Sequence, residues 1–176
     1  MEKNDLEFLI PGDTDTYIDP HIKLYVRGKM VLKSGKDVDL TDTTAVTNNL
    51  LHTLFSQCTV MLNGVPVTQS HEHYNYHSNL DILLTNGSDA SASHLANSYV
   101  YLDTGDMQPC DPTAEMHTYT NNDGFIARWS KLSVSRDVQL FGRLHTDLCN
   151  LPLFLLPRVP LQIKLTKARP SFYLMN

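Results

Sequence analysis

"FLIPGDTDTYIDPHIKLYVRGKM", from Phe8 to Met30, decides how the chain is to be read, because it joins two runs of regular apolar alternation. Before it, Leu6, Phe8 and Ile10 keep one parity against Asp5, Glu7 and Leu9. After it, Ile22, Leu24, Val26, Met30 and Leu32 keep one parity, and His21, Lys23, Tyr25, Arg27 and Lys29 keep the other. A period of two over such lengths belongs to strands with one buried face, so residues 21–32 are expected to be a strand. Between the runs stand Pro11-Gly12 and the acids Asp13, Asp15 and Asp19, which form either a turn or a cation site. A calcium loop of the helix-loop-helix kind needs oxygen ligands at its first, third, fifth and twelfth positions and glycine at its sixth. Counted from Asp13, the fifth is Tyr17, the sixth Ile18 and the twelfth Leu24, so the pattern fails after Asp15. A turn whose aspartates accept hydrogen bonds from nearby backbone is the better reading.

Strand-like runs continue along the chain. "SQCTVMLNGVPVTQS" holds two alternations joined by Asn63-Gly64, and both of those residues tolerate the positive φ that a tight hairpin turn demands. Pro66 places the second arm at a sheet edge or delays its start. Leu132, Val134, Val138 and Leu140 suggest another strand with Arg136 intruding on its face, and Val159, Leu161, Ile163 and Leu165 form the cleanest alternation of all. Two helices are expected in connections. Val46, Leu50, Leu54 and Phe55 are spaced for one over 44–55, with Thr41 to Thr44 as candidate caps. Tyr76, Leu80, Leu83 and Leu84 mark the apolar stripe of another over 75–85, closed by Asn86-Gly87. A weak helix is expected over Ser88–Ala96 and a short one around Leu144 and Leu148. Residues 99–124 read as a long polar excursion. Six to eight strands without a strand-then-helix rhythm predict an all-β fold. We expect an antiparallel β-sandwich of jelly-roll type, with short helices in the inter-strand connections.

Composition bounds what such a domain does. At 176 residues the chain fits one domain, residues 1–176, with ordinary hydrophobic and charged fractions of 41% and 19%. A net charge of −5 is wrong for a general nucleic-acid binder, and the cluster Lys164, Lys167 and Arg169 is too sparse to reverse that. Cys58, Cys110 and Cys149 are odd in number and far apart, which indicates neither a disulfide framework nor a metal knuckle and suits a reducing interior. "MEKND" lacks the apolar core of a signal peptide. The greasiest stretch, Leu151 to Pro160, is broken by prolines and too short to span a bilayer, so no membrane insertion is expected.

The chemistry-bearing candidates are few. In "SHEHYNYH", His71 and His73 would share one face of a strand, and imidazole is the commonest metal ligand. Cupins, small metal-dependent jelly-roll enzymes, use such a pair with a following glutamate and a later histidine. Here His77 or Ser78 holds the glutamate's place, and His117 lacks the expected preceding motif. A cupin-like enzyme using His71, His73 and His117 is therefore the alternative function. His145 and Asp147 have no serine or cysteine placed to complete a triad, Cys58 lies in an expected strand as a small hydrophobe, and no phosphate-cradling glycine loop is present. No catalytic, cofactor or metal residue is assigned.

Several segments taken in order resemble one family: "LEFLIPGDTDTYIDPHIKLYVRGKM", "NLLHTLFSQCTVMLNGVPV", "YNYHSNLDILL", "LFGRLHTDL" and "VPLQIKLTKARPSFYLM". They look like the first half of the major capsid protein of Polinton (Maverick) elements, virus-like transposons of animal genomes. The resemblance implies a non-catalytic double jelly-roll capsid subunit that forms homotrimeric capsomers with itself and meets other capsid proteins. It implies assembly in the cytoplasm or nucleus of the host cell and a place in the virion. It also implies a second jelly roll downstream, into which Phe172, Tyr173, Leu174 and Met175 would lead. On that basis the loops 99–124 and 151–160 are the expected inter-subunit contacts.

Overall fold

In a computed structural model, residues 5–68, 73–112 and 121–175 are described. Strands β1 (Asp5–Ile10), β2 (Lys23–Gly28) and β3 (Ala45–Val46) come first, followed by the single turn α1 (Leu50–Thr53). The hairpin β4 (Phe55–Leu62) and β5 (Val65–Pro66) leads to helix α2 (Tyr74–Thr85), the turn α3 (Ser88–Ser91) and a 3-10 segment, His94–Ser98. After helix α4 (Asp123–Leu132) come β6 (Val138–Arg143), α5 (Asp147–Asn150), β7 (Leu161–Lys167), α6 (Pro170–Tyr173) and β8 (Leu174–Met175). The pairs β1–β7, β3–β8, β4–β5 and β4–β7 are antiparallel. Among the described residues helix and strand contents are nearly equal, 29% and 27%, so the sheets are accompanied by more helix than the all-β expectation allowed.

The chain divides into two compact units, and neither is continuous in sequence. One comprises Met1–Leu24, Leu54–Thr85 and Arg143–Arg169, and the other Tyr25–Thr53, Asn86–Gly142 and Pro170–Asn176.

The first unit is built on a four-stranded sheet in the order β1-β7-β4-β5. Register sets its inner face. Leu165 lies opposite both Leu6 and Cys58, Ile163 opposite Phe8 and Val60, and Leu161 opposite Ile10 and Leu62. Directly opposed residues share a face, so three apolar rows cross three strands. The rows are buried at β7 and over most of β4, but Leu6 and Phe8 on β1 remain exposed. Ser56 forms a bulge in β4, and its hydroxyl donates to the Thr166 carbonyl. Asn63 and Gly64 take φ of 50° and 77°, the two positive values expected for the hairpin, and Pro66 ends a second arm only two residues long. The opening turn behaves as turn chemistry predicts. Asp13 Oδ1 accepts from the Thr14 amide, and Asp19 Oδ1 accepts from the His21 amide at 2.9 Å and lies 2.6 Å from His21 Nδ1.

Helix α2 packs on β4 through Tyr74, Ser78 and Ile82, a stripe at i, i+4 and i+8. This corrects the face, though not the extent, of the expected helix: Tyr76, Leu80, Leu83 and Leu84 point outward. The physical reason lies in the neighbouring sheet, which meets the narrower stripe of Tyr74, Ser78 and Ile82.

In the second unit β2 pairs with β6, and β3 pairs with β8 through Ala45–Met175 and Val46–Leu174. Helix α4 packs on β3. The Asn122 side chain accepts from the Phe125 amide at 3.1 Å and caps the helix, whose Phe125, Ile126 and Leu132 are buried. Arg128 is fully buried: its Nε donates to the Val46 carbonyl and a terminal nitrogen to Asp103 Oδ1, both at 2.8 Å. Three expectations are corrected here. The strand over 21–32 is only residues 23–28, because the chain past Gly28 turns into an exposed loop closed by a Leu32–Lys36 bond. The helix over 44–55 reduces to α1, because Ala45-Val46 pairs with a strand far away in sequence and Phe55 opens β4. The strand expected from Leu132 begins only at Val138. Leu132 ends α4, Val134 turns with φ 59°, and Arg136 lies outside the strand and donates to the Ser130 carbonyl.

Candidate functional site

The first unit contains a cavity of about 670 Å³ where the N-terminal half of α2 faces β4 and the segment that follows β6. Cys58 lines it from β4, His73, Tyr74 and His77 from the start of α2, and His145 and Asp147 from the chain leading into α5. Thr146 fixes that last segment by capping α5, its hydroxyl accepting from the Cys149 amide. The tightest polar contact in this region is His145 Nδ1 to Asp81 Oδ2 at 2.5 Å, with both side chains mostly buried. It ties α2 to the segment before α5. Sequence reading set His145 beside Asp147, yet the carboxylate that engages it lies 64 positions away on α2.

The chemistry open to this cavity is narrow. Burial pushes the Cys58 thiol up to about 12, with a smaller contribution from Cys149, so it is protonated at neutral pH and is no thiolate nucleophile. Burial likewise drives the Tyr74 phenol well above its usual range. Among the described residues no three of His, Cys, Asp and Glu come together in a way that could hold a metal ion. Of the cupin-like set, His73 lies at the cavity, while His71 and His117 lie outside the described residues.

The second candidate is apolar surface. Leu6, Phe8 and Leu9 of β1 are exposed, and so are Leu151, Leu153, Phe154 and Leu156. The latter run is pinned at Leu155, which exchanges two backbone hydrogen bonds with Ile18, of 2.9 and 3.3 Å. Pro152 and Pro157 bracket it and remove two amide donors. The other expected contact loop, 99–124, is partly internal. Tyr99 and Val100 are buried, and the Tyr101 amide donates to Asn48 Oδ1 at 2.8 Å. Leu102 and Met107 are exposed, and residues 113–120 of that loop lie outside the described residues. No helix among the described residues is long and apolar enough to cross a membrane.

No protein-family model, no curated protein and no solved structure matches the chain.

Proposed function

We propose that the chain is a structural, non-catalytic capsid subunit: a jelly-roll domain of the Polinton major-capsid type that associates with copies of itself as a homotrimer. Its other partners would be further capsid proteins and a second jelly roll, and its place the virion. The ordered sequence segments that resemble this family support the reading, and strand connectivity agrees with it. β1 pairs with β7 and, nested inside that pair, β2 pairs with β6. Nested pairing of early with late strands is what results when one long antiparallel hairpin is rolled up, which is how a jelly roll is wound. The β3–β8 pair falls outside this nest, so the winding is partial.

The observation that carries the proposal is the row structure of the first sheet. Its apolar rows run past the region that α2 covers and end exposed at Leu6 and Phe8 on an edge strand. A long open edge with apolar residues invites pairing, and soluble monomers blunt such edges. The gain is of useful size. Full burial of a large apolar side chain contributes about 1.5–3 kcal/mol, so covering the exposed half of Leu6, Phe8, Leu9 and the four apolar residues of 151–156 contributes roughly 5–10 kcal/mol. That is comparable with the association cost of about 4–15 kcal/mol, which makes self-association feasible through these surfaces. The test is sedimentation velocity and negative-stain microscopy of the wild-type chain beside the double variant Phe8→Asp/Phe154→Asp. Trimers that the double variant loses, while keeping its circular dichroism, support the proposal. Trimers that persist unchanged in the variant remove these surfaces from the account.

A further inference from the structure

The exposed face of α2 carries a further signal, and its N-terminal part borders the cavity, which Tyr76, His77 and Leu80 also line. Leu80, Leu83 and Leu84 are 59%, 73% and 84% exposed, and Tyr76 and His77 beside them are exposed as well. The one acid on this helix, Asp81, is turned aside and engaged by His145, so the outer face carries no carboxylate, lysine or arginine. Of the exposed positions on this helix, 76, 77, 80, 83 and 84 are spaced symmetrically about position 80, with Thr85 at the helix end outside the set. In an antiparallel helix pair with a two-fold axis at Leu80, Tyr76 therefore meets Leu84 of the second copy, His77 meets Leu83, and Leu80 meets itself. Self-complementarity is what an isologous contact requires.

We propose that this face of α2 is a two-fold contact with a second copy of the same chain, made by antiparallel packing of the two helices. The occupant follows from the pattern: a face without carboxylate, lysine or arginine offers no fixed charge for a charged partner to pair with, and its spacing fits its own copy. Area sets the strength. The exposed parts of these side chains amount to roughly 500 Å² per copy, or about 1,000 Å² in total, which only just reaches the size of a specific interface. A contact at this lower limit of size is weak and reversible. It goes beyond the capsid reading, since it uses neither β1 nor the 151–156 run and demands two-fold rather than three-fold symmetry. Within a shell it would join one capsomer to the next.

Sedimentation equilibrium from about 1 to 300 μM tests it on the wild type, Leu83→Glu/Leu84→Glu, Phe8→Asp/Phe154→Asp and the variant that combines all four substitutions. Because the two leucines are already exposed, the glutamates leave the fold intact, which circular dichroism and melting temperature verify. The expected result is reversible pairing in the Phe8/Phe154 variant that weakens more than tenfold when Leu83→Glu/Leu84→Glu is added. In an otherwise wild-type chain, Leu80→Cys incubated with oxidised glutathione as the oxidant should form a disulfide across the axis, located by peptide mapping. A Phe8/Phe154 variant that stays monomeric at every concentration overturns the proposal, as does pairing indifferent to the glutamates or a Leu80→Cys chain that does not cross-link to its own copy. Failure of the capsid reading looks different: the wild type then pairs but never forms trimers.

Discussion

Replacing Arg128 with methionine probes the interior of the second unit at its most committed point. The guanidinium has no solvent exposure, and it satisfies the Val46 carbonyl and Asp103 Oδ1 at 2.8 Å with a longer 3.5 Å contact to the Tyr101 carbonyl. Methionine fills most of the volume but donates nothing. The Val46 carbonyl then loses a hydrogen bond in a site where an unmet buried acceptor costs about 1–3 kcal/mol. Asp103 loses its cation, and breaking a fully buried pair costs about 3–5 kcal/mol, but its side chain is 24% exposed, so water recovers part of that. Recovered apolar packing offsets a little more. The net expectation is a loss of about 2–4 kcal/mol, equivalent to a melting temperature lower by about 5–15 °C for a chain of this size. Trp129, the single tryptophan, reports on this unit directly, since it lies on α4 and donates from Nε1 to the Asp42 carbonyl at 2.8 Å. Urea unfolding followed by its fluorescence should show a lower midpoint at unchanged slope. Asp103→Asn, which keeps an acceptor for the guanidinium, should cost less, and the double variant should fall short of the sum of the two. A midpoint for Arg128→Met within about 0.5 kcal/mol of wild type refutes the claim that the arginine pins α4 to β3.

Two further predictions concern the first unit. Gly12→Ala should destabilise it by at least about 1–3 kcal/mol in thermal melts, because the added Cβ would meet the Arg158 carbonyl carbon and the Val159 nitrogen at 2.6 Å, and both are backbone atoms that cannot swing aside; an unchanged melt contradicts the close approach of the two segments. Cys58 gives a pH signature: its folded thiol titrates near 12 and the unfolded one near 9.0, so above pH 9 the unfolded chain binds fewer protons and stability falls as pH rises towards 12. Cys58→Ala should flatten that alkaline slope in urea titrations between pH 8 and 11, and an equally steep slope in the variant would show that burial of this thiol is not its source.

Those features that local sequence dictates were legible in it. β7 and the hairpin at Asn63-Gly64 followed from period two and from residues that accept positive φ, and both are where alternation placed them. The aspartates of the opening turn also follow local rules, since their partners lie one or two residues away. What failed depended on distant partners. α2 has the expected extent, but which of its two faces meets β4 is fixed by the sheet, and the leucine-rich face is the exposed one. Ala45-Val46 is a strand only because Leu174-Met175 pairs with it, and helical spacing over 44–55 concealed that. α4 was missed because its first two residues fell in the polar excursion read over 99–124 and its last, Leu132, in the expected strand. The His145–Asp81 contact joins residues that no motif connects. Exposure of β1 is likewise invisible to alternation, which marks a face as apolar without saying whether anything covers it.

The central claim is self-association as a structural subunit, and native mass spectrometry tests it most directly. Purified wild-type chain should be measured from about 1 to 200 μM beside Leu83→Glu/Leu84→Glu, in which only the two-fold contact is removed. The account predicts a species of three times the 19.9 kDa chain mass that grows with concentration and survives in the α2 variant. A wild-type chain that remains at 19.9 kDa across the whole range contradicts the capsid-subunit reading.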